Sequence, residues 1–255
     1  MVKTWNISFP ALERKEQRRR AYVYLPVMYK AQPRRRFPVL YMFDGHNVFF
    51  DEHASHGHSW RLAEYLDFTA LPLIVAAVEC NHSPENGRLR EYSPWTFDDP
   101  EVGHVEGSGH ETMEWFVHSF KPTIDRRFRT IPWRESTFIG GSSMGGLMSL
   151  YAVLRHNDIF SRAAVLSPHI WADKNRLLKL IRSADIAPDT VIYMDWGAAE
   201  VDRNMARDQR HVADALFDRK VSLTARVVPG GEHSETSWER QAPFFLETLM
   251  YGVEA

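Results

Sequence analysis

Thr137-Phe138-Ile139-Gly140-Gly141-Ser142-Ser143-Met144-Gly145-Gly146 runs from a β-type apolar segment into a glycine-flanked pair of serines, and a helical apolar pattern follows over Gly145–Arg155. Gly141-Ser142-Ser143-Met144-Gly145 satisfies G-x-S-x-G in the strand–turn–helix context that this pattern requires. The requirement is steric. A nucleophile raised on so tight a turn leaves no room for side chains two positions to either side, and glycine at both removes the collision. The same rule rejects Ser142, because Met144 stands two residues after it. Without that context the five residues would mark only a glycine-rich turn with exposed serines. The strand before and the helix after make Ser143 a candidate nucleophile.

Outward from this turn, strands and helices alternate. Ala163–Leu166, Val191–Met194 and Val221–Val228 read as strands; Lys174–Ile181, Arg207–Phe217 and Trp238–Leu249 read as helices. Upstream, Arg20–Leu25 alternates and stops at Pro26, while Phe37–Phe43 and Leu71–Val78 are apolar runs of the kind covered on both faces. Met113, Phe116, Val117, Phe120 and Ile124 predict a helix over Glu111–Arg127, kinked or broken at Pro122. Between these lies Asn81–Gly109, a polar stretch long enough to suggest a functional loop. The expected architecture is α/β: a mostly parallel central sheet, antiparallel N-terminal edge strands, helices on both faces, and one domain over residues 1–255. In such sheets functional groups gather at the carboxyl ends of the strands.

The chain of 255 residues is 44% hydrophobic, enough for a sizeable core, and its net charge of −2 gives no global field toward nucleic acid or an anionic membrane. Arg18-Arg19-Arg20 and Arg34-Arg35-Arg36 are short runs expected on solvated faces or loops. Cys80 is the only cysteine, so no intrachain disulfide forms; a buried thiol in a reducing compartment is the expectation. Met1–Asn6 lacks the apolar core of a secretion signal, and no apolar run reaches the roughly 20 residues of a membrane span. A cytoplasmic protein acting on a small molecule, with neither nucleic acid nor membrane as partner, is expected.

A nucleophilic serine needs a base and an acid, which follow it in the order serine, acid, histidine on sheets that carry this elbow. His211 lies inside a helical pattern and is expected at the surface. His233, in Pro229–Ser234 between the last strand and the last helix, is expected to reach Ser143 as base. His169 precedes every candidate acid and is assigned to the pocket lining. Asp195, Glu200 and Asp202 all follow the strand Val191–Met194, and the residues alone leave the choice open. Of the two backbone N–H donors an oxyanion needs, one is expected from Met144 and the other from the turn Asp44-Gly45-His46-Asn47.

Six segments in order resemble one family: Tyr41–Phe49, Arg90–Trp95, Lys121–Asp125, Gly140–Leu147, Ser167–Trp171 and Gly231–Glu235. It is the esterase family that takes in esterase D (S-formylglutathione hydrolase), enterochelin esterases, feruloyl esterases and mycobacterial mycolyltransferases, within the α/β-hydrolase superfamily. The resemblance covers roughly residues 20–250. It implies hydrolysis of carboxylic esters through an acyl-enzyme, with no metal or organic cofactor. It puts the acid in a Gly-x-x-Glu or Gly-x-x-Asp segment, which Gly197-Ala198-Ala199-Glu200 matches, so Glu200 moves ahead of Asp202 and Asp195. It also puts the second oxyanion N–H on the residue after the turn glycine, here His46. The sequence departs from the family at Asp51–His58, where His53, His56 and His58 stand beside Asp51 and Glu52. Their spacing fits no zinc pattern, and a polar loop near the pocket mouth is expected. Substrate selection is expected from the Asn81–Gly109 loop and from Trp60, Trp95, Trp171 and Trp196, each equally compatible with core packing. The rivals are an acyltransferase with the same triad, a catalytically silent binding protein and, less well supported, a serine peptidase.

Overall fold

The computed structural model of the chain describes residues 1–9 and 17–253. The first two strands, β1 (Val2–Phe9) and β2 (Gln17–Tyr24), pair antiparallel. Next come β3 (Val39–Met42), α1 (Leu62–Thr69) and β4 (Ile74–Val78). The polar stretch after β4 holds α2 (Gly87–Glu91) and a small hairpin of β5 (Phe97–Asp99) and β6 (Gly103–Val105). It is followed by α3 (Gly109–Trp115) and α4 (Lys121–Arg127). The second half alternates β7 (Thr137–Ser142), α5 (Met144–Arg155), β8 (Arg162–Leu166), α6 (Lys174–Ser183), β9 (Val191–Gly197), α7 (Arg203–Asp218) and β10 (Ser222–Val228). Two short helices close it, α8 (Glu235–Glu239) and α9 (Ala242–Met250).

Eight strands form one sheet in the order β1-β2-β4-β3-β7-β8-β9-β10. All pairs from β4 to β10 are parallel, and β1 and β2 add the antiparallel edge. Burial explains the patterns. Every residue of β3, β4 and β7 is buried, as helices on both faces require, whereas β1 alternates toward solvent at the edge. One apolar layer gathers side chains from α3 to α7, among them Met113, Phe120, Leu147, Leu177 and Val212. The opposite layer gathers Leu62, Leu66, Trp238, Phe245 and Leu249 from α1, α8 and α9. In α5 every residue but Arg155 is buried, which makes it the central helix of the fold. The register brings Met42 beside Gly140, Ser142 beside Leu166, and Leu166 beside Asp195, so the parallel strands end together at one rim. Among the described residues no helix is long and apolar enough to cross a membrane.

Four local readings change. The helix expected over Glu111–Arg127 is not broken at Pro122: a π turn over Phe116–Phe120 joins α3 to α4. The Lys121 N–H reaches back five residues to the Phe116 carbonyl, and Pro122, which lacks an N–H, falls harmlessly in the first turn of α4. The helix expected over Trp238–Leu249 is two, because Pro243 starts α9 and the chain turns at Arg240-Gln241. The segment expected as a continuous loop after Asn81 carries α2 and the β5–β6 hairpin. Finally, Arg19 is not on a solvated face.

Arg19 is only 4% exposed and reaches across to α2, where its Nη1 and Nη2 donate to Glu91 Oε1 and Oε2 at 3.1 and 2.8 Å. Burial raises the Glu91 carboxyl above its ordinary value even with Arg19 beside it, so desolvation outweighs the pairing. Such a pair specifies where α2 sits more than it adds stability. Arg19→Met alone is expected to cost about 3–5 kcal/mol, because it strands the Glu91 charge, while Arg19→Met combined with Glu91→Leu recovers most of the loss. Urea denaturation of the two variants checks this; equal losses in both would contradict it.

Candidate active site

Ser143 stands between β7 and α5 with φ 56° and ψ −121°, a backbone conformation that non-glycine residues rarely adopt. Two hydrogen bonds to the neighbouring strand segment hold it there. The Ser143 N–H donates to the Leu166 carbonyl, and the His169 N–H donates to the Ser143 carbonyl, both at 3.0 Å. The flanking glycines are needed for the predicted reason: a Cβ on Gly141 would lie 2.9 Å from the Gly145 carbonyl carbon. Ser142 remains part of the strand.

Two loops from the adjacent strand ends converge on this serine. His233 lies after β10, with Nε2 2.9 Å from Ser143 Oγ and Nδ1 2.9 Å from Glu200 Oε2. A carboxylate only accepts, so Nδ1–H donates to Glu200 and the neutral ring offers Nε2 to the serine hydroxyl. Glu200 Oε1 in turn accepts the Gly197 N–H at 2.7 Å. The Glu200 side chain is 3% exposed and the His233 imidazole 46%, so a buried carboxylate holds an accessible ring. The edge of Trp238 packs on the imidazole at 5.0 Å between ring centroids. The two loops are tied to each other. The Ala199 N–H donates to the Gly231 carbonyl at 3.0 Å, and a Cβ on Gly197 would overlap that carbonyl oxygen at 2.1 Å.

The other two acids lie elsewhere. Asp202 caps α7 by accepting the Met205 N–H at 2.8 Å. Asp195 is buried within β9, where it accepts from Tyr193 Oη at 2.7 Å and from the Ser167 N–H at 3.3 Å. Burial pushes its carboxyl up to about 7.

Met144 is the first residue of α5, so its N–H has no carbonyl within the helix to bond. His46 sits in a 3-10 turn (Gly45–Asn47) that follows β3. The left-handed residue of that turn is Asp44, at φ 52°, rather than the glycine. Arg88 from α2 holds Asp44 through Nε and Nη2, at 2.8 and 2.7 Å to its two oxygens, and the Asp44 N–H donates to Tyr92 Oη at 3.1 Å. Burial pushes the Asp44 carboxyl up, but Arg88 more than offsets this and holds it below its ordinary value. Burial also lowers the His46 imidazole to about 4, so its ring is neutral at physiological pH.

A cavity of about 310 Å³ opens over Ser143 and His233. The segment after β3 lines it with His46, Asn47, Ser55 and His56; the segment after β4 adds Cys80, Asn81, His82 and Arg88, and α8 adds Glu235 and Trp238. The donor atoms of His46, Cys80 and His82 lie within 4.8 Å of one another. None of the four tryptophans expected in the pocket lines this cavity. Trp60 packs on Trp238 and Phe245, Trp95 on Tyr151, and Trp196 is buried in the core. Trp171 and His169, in the segment after β8, pack edge to face at 5.7 Å and are not among the residues that line this cavity. Trp238, which does line the cavity, was expected only as the start of a helix, and only its sequence distance of five from His233 hinted at its place. Arg88, Asn81 and His82 belong to the loop expected to select substrate. The histidines of Asp51–His58 disperse: His56 faces the cavity, His58 bonds Glu239 at 2.8 Å and His53 packs on Tyr22 and Phe50.

A family model described as "Putative esterase" matches residues 13–249. The chain belongs to this family. Its reaction is accordingly the hydrolysis of ester bonds. A Bacillus subtilis (strain 168) chain named "Uncharacterized protein YbbA" is 26% identical, over 94% of this chain and 95% of its own length. The siderophore triacetylfusarinine C esterase of Aspergillus fumigatus is 27% identical over 56% of this chain and 47% of its own. Among solved structures, an IroE-like serine hydrolase from Shewanella oneidensis superimposes with a TM-score of 0.74 at 19% identity, covering 98% of this chain and 79% of that one. The shared architecture is that of the α/β-hydrolase esterases.

The raised Asp195 carboxyl makes a pH prediction. A carboxyl lifted in the folded state favours folding below its unfolded value and loses that contribution as pH rises through the folded value. The window therefore runs from about 3.8 to about 7. Asp195→Asn has no charge to desolvate. Its stability relative to the parent is expected to rise across this window, by up to about 1.4 kcal/mol per pH unit. Denaturation midpoints at several pH values check it; a constant difference would contradict it.

Proposed function

We propose that the chain is a serine carboxylic-ester hydrolase in which Ser143 is the nucleophile, His233 the general base and acid, and Glu200 the residue that orients His233. The observation that carries this reading is the unbroken line of hydrogen bonds from Ser143 Oγ through both imidazole nitrogens to Glu200, each 2.9 Å. In the first step His233 Nε2 takes the hydroxyl proton as Ser143 Oγ bonds to the ester carbonyl carbon, and the carbonyl oxygen becomes an oxyanion. The backbone N–H groups of Met144 and His46 receive that charge, aided by the N-terminal dipole of α5. The imidazolium then protonates the departing alcohol oxygen as the ester C–O bond breaks. Water, deprotonated by His233, repeats the sequence on the acyl-enzyme and releases the acid and free Ser143.

The cavity points to a compact, polar ester. Its volume is about 310 Å³, and apart from Trp238 and Cys80 its side chains are polar or charged. A long acyl chain would find no apolar surface to cover it. The name of the Aspergillus fumigatus relative makes siderophore esters such as triacetylfusarinine C the first to test.

Ser143→Ala is expected to lower kcat for p-nitrophenyl acetate by roughly 10⁴-fold or more and to abolish labelling by a fluorophosphonate probe, with the circular dichroism spectrum unchanged. Retained turnover in a folded Ser143→Ala protein would overturn the assignment. Measured side by side, Glu200→Gln is expected to lose about 10³- to 10⁴-fold in kcat, and Asp202→Asn less than about threefold. The reverse order would move the acid to Asp202.

A further inference from the structure

We propose that His46, Cys80 and His82 form a binding site for a thiophilic divalent cation, Zn²⁺ foremost, and that its occupation closes the ester-cleaving cavity. The three side chains come from two segments, the turn after β3 and the first residues after β4, and all three line the cavity over Ser143. Their donor atoms lie within 4.8 Å of one another, and Cys80 Sγ is already 4.0 Å from His82 Nδ1. A tetrahedral zinc ion bound by sulfur at about 2.3 Å and nitrogen at about 2.0 Å needs donors roughly 3.5 Å apart. The gap is about 1 Å. His82 is exposed and is the arm free to close it; Cys80 and His46 are the buried, fixed part of the site.

A second observation points to a ligand. His46 is 4% exposed, and although Nε2 meets Ser55 Oγ at 3.0 Å, Nδ1 is buried with no partner among the described residues. Buried ring nitrogens are ordinarily paired, so this one marks an interaction left to be made. If Nε2–H donates to Ser55, Nδ1 carries a lone pair that no donor among the described residues meets, which a cation can take. The neutral state of that ring suits a metal ligand, which must be unprotonated. Cys80 is held as a thiol by burial and by the neighbouring Asp44 carboxylate. Coordination therefore exchanges the S–H bond for a Zn–S bond and releases one proton to solvent, with no change of oxidation state. Two imidazoles and one thiolate are the borderline donor set that zinc favours over magnesium or calcium, and the fourth position faces the cavity.

The inhibitory part of this proposal rests on the triad reading given above; the binding part does not. An ion held by His46, Cys80 and His82 occupies part of the cavity over Ser143 that all three line and that the ester must enter. The probe for binding is Co²⁺, whose thiolate charge-transfer band in the near ultraviolet reports a cobalt–sulfur bond without reference to catalysis. The full-length protein is expected to develop this band at one equivalent, Cys80→Ser to show none, and His82→Ala to need about 100-fold more metal, since loss of even an outer partner of a metal ligand weakens affinity 10- to 100-fold. In parallel, the Zn²⁺ inhibition constant for p-nitrophenyl acetate hydrolysis, taken against each variant's own metal-free rate, is expected to rise about 100-fold in His82→Ala. Absence of the band in the parent protein overturns the site. Inhibition undiminished in His82→Ala overturns the inhibitory role, because the ion then acts directly at His233 and Glu200. A band in a parent protein that hydrolyses no ester supports the site and overturns the triad reading instead.

Discussion

Ser143 sits on a backbone turn that only a few contacts make possible, and most of the site follows from how those contacts are arranged. The residue adopts φ 56°, which costs on the order of 1–3 kcal/mol for a side-chain-bearing residue. The Leu166 carbonyl and the His169 N–H clamp it from β8 and the segment after β8. The turn is also closed from within, where Gly141 and Gly145 touch backbone to backbone. Strand β7 before it and helix α5 after it are buried almost throughout, so the strain is held by packing rather than relieved. The serine hydroxyl is thereby lifted out of the sheet at the rim where the parallel strands end, and a backbone N–H at the head of α5 is left unpaired beside it.

Placing Glu200 and His233 beside Ser143 is then a problem of bringing two loops to one point. Glu200 follows β9 and His233 follows β10, which pair in parallel up to Gly197 and Val228. Parallel register delivers both loops at the same rim, and the Gly197–Gly231 contact with the Ala199–Gly231 hydrogen bond fixes their spacing. The opposite wall comes from the turn after β3 and from α2, whose position is set by two ion pairs, Arg88 with Asp44 and Arg19 with Glu91.

The parts legible in the sequence are those governed by local rules. The glycine pattern around Ser143, the apolar runs of β3 and β4 and the alternation of the second half each reflect sterics or burial period. They predict the sheet and the loop that brings His233 within 2.9 Å of Ser143. Among three acids that the residues alone did not separate, only the resemblance to the esterase family moved Glu200 ahead, and its Oε1 accepts the Gly197 N–H at its own strand end. What the sequence hid depends on distant contacts. Arg19 sits in a basic run that reads as solvated, yet Glu91, 72 positions away, draws it inside. The four tryptophans named for the pocket lie in the core or against it, while Trp238 took the cavity wall. Aromatic residues satisfy a core as well as a pocket, and the sequence carries no mark of which face they turn to. Pro122 was read as a break because the compensating π turn is a property of the whole helix.

The charges around Ser143 also form a consistent set. In the proposed reaction a negative charge develops on the oxyanion, and among the carboxylates in the surrounding structure are Glu200, Asp44 and Asp195. Each is compensated differently. Glu200 faces the imidazole that becomes cationic in the same step. Asp44 is pinned by both arms of the Arg88 guanidinium. Asp195, one strand away, is pushed up to about 7 by burial, so at neutral pH a large fraction of it carries no charge. An uncompensated carboxylate at any of these positions would oppose the oxyanion through a medium of low dielectric, where such repulsion is strong. The buried His46 ring follows the same logic from the other side: its neutrality leaves its backbone N–H, rather than a mobile proton, as what the turn presents to the cavity.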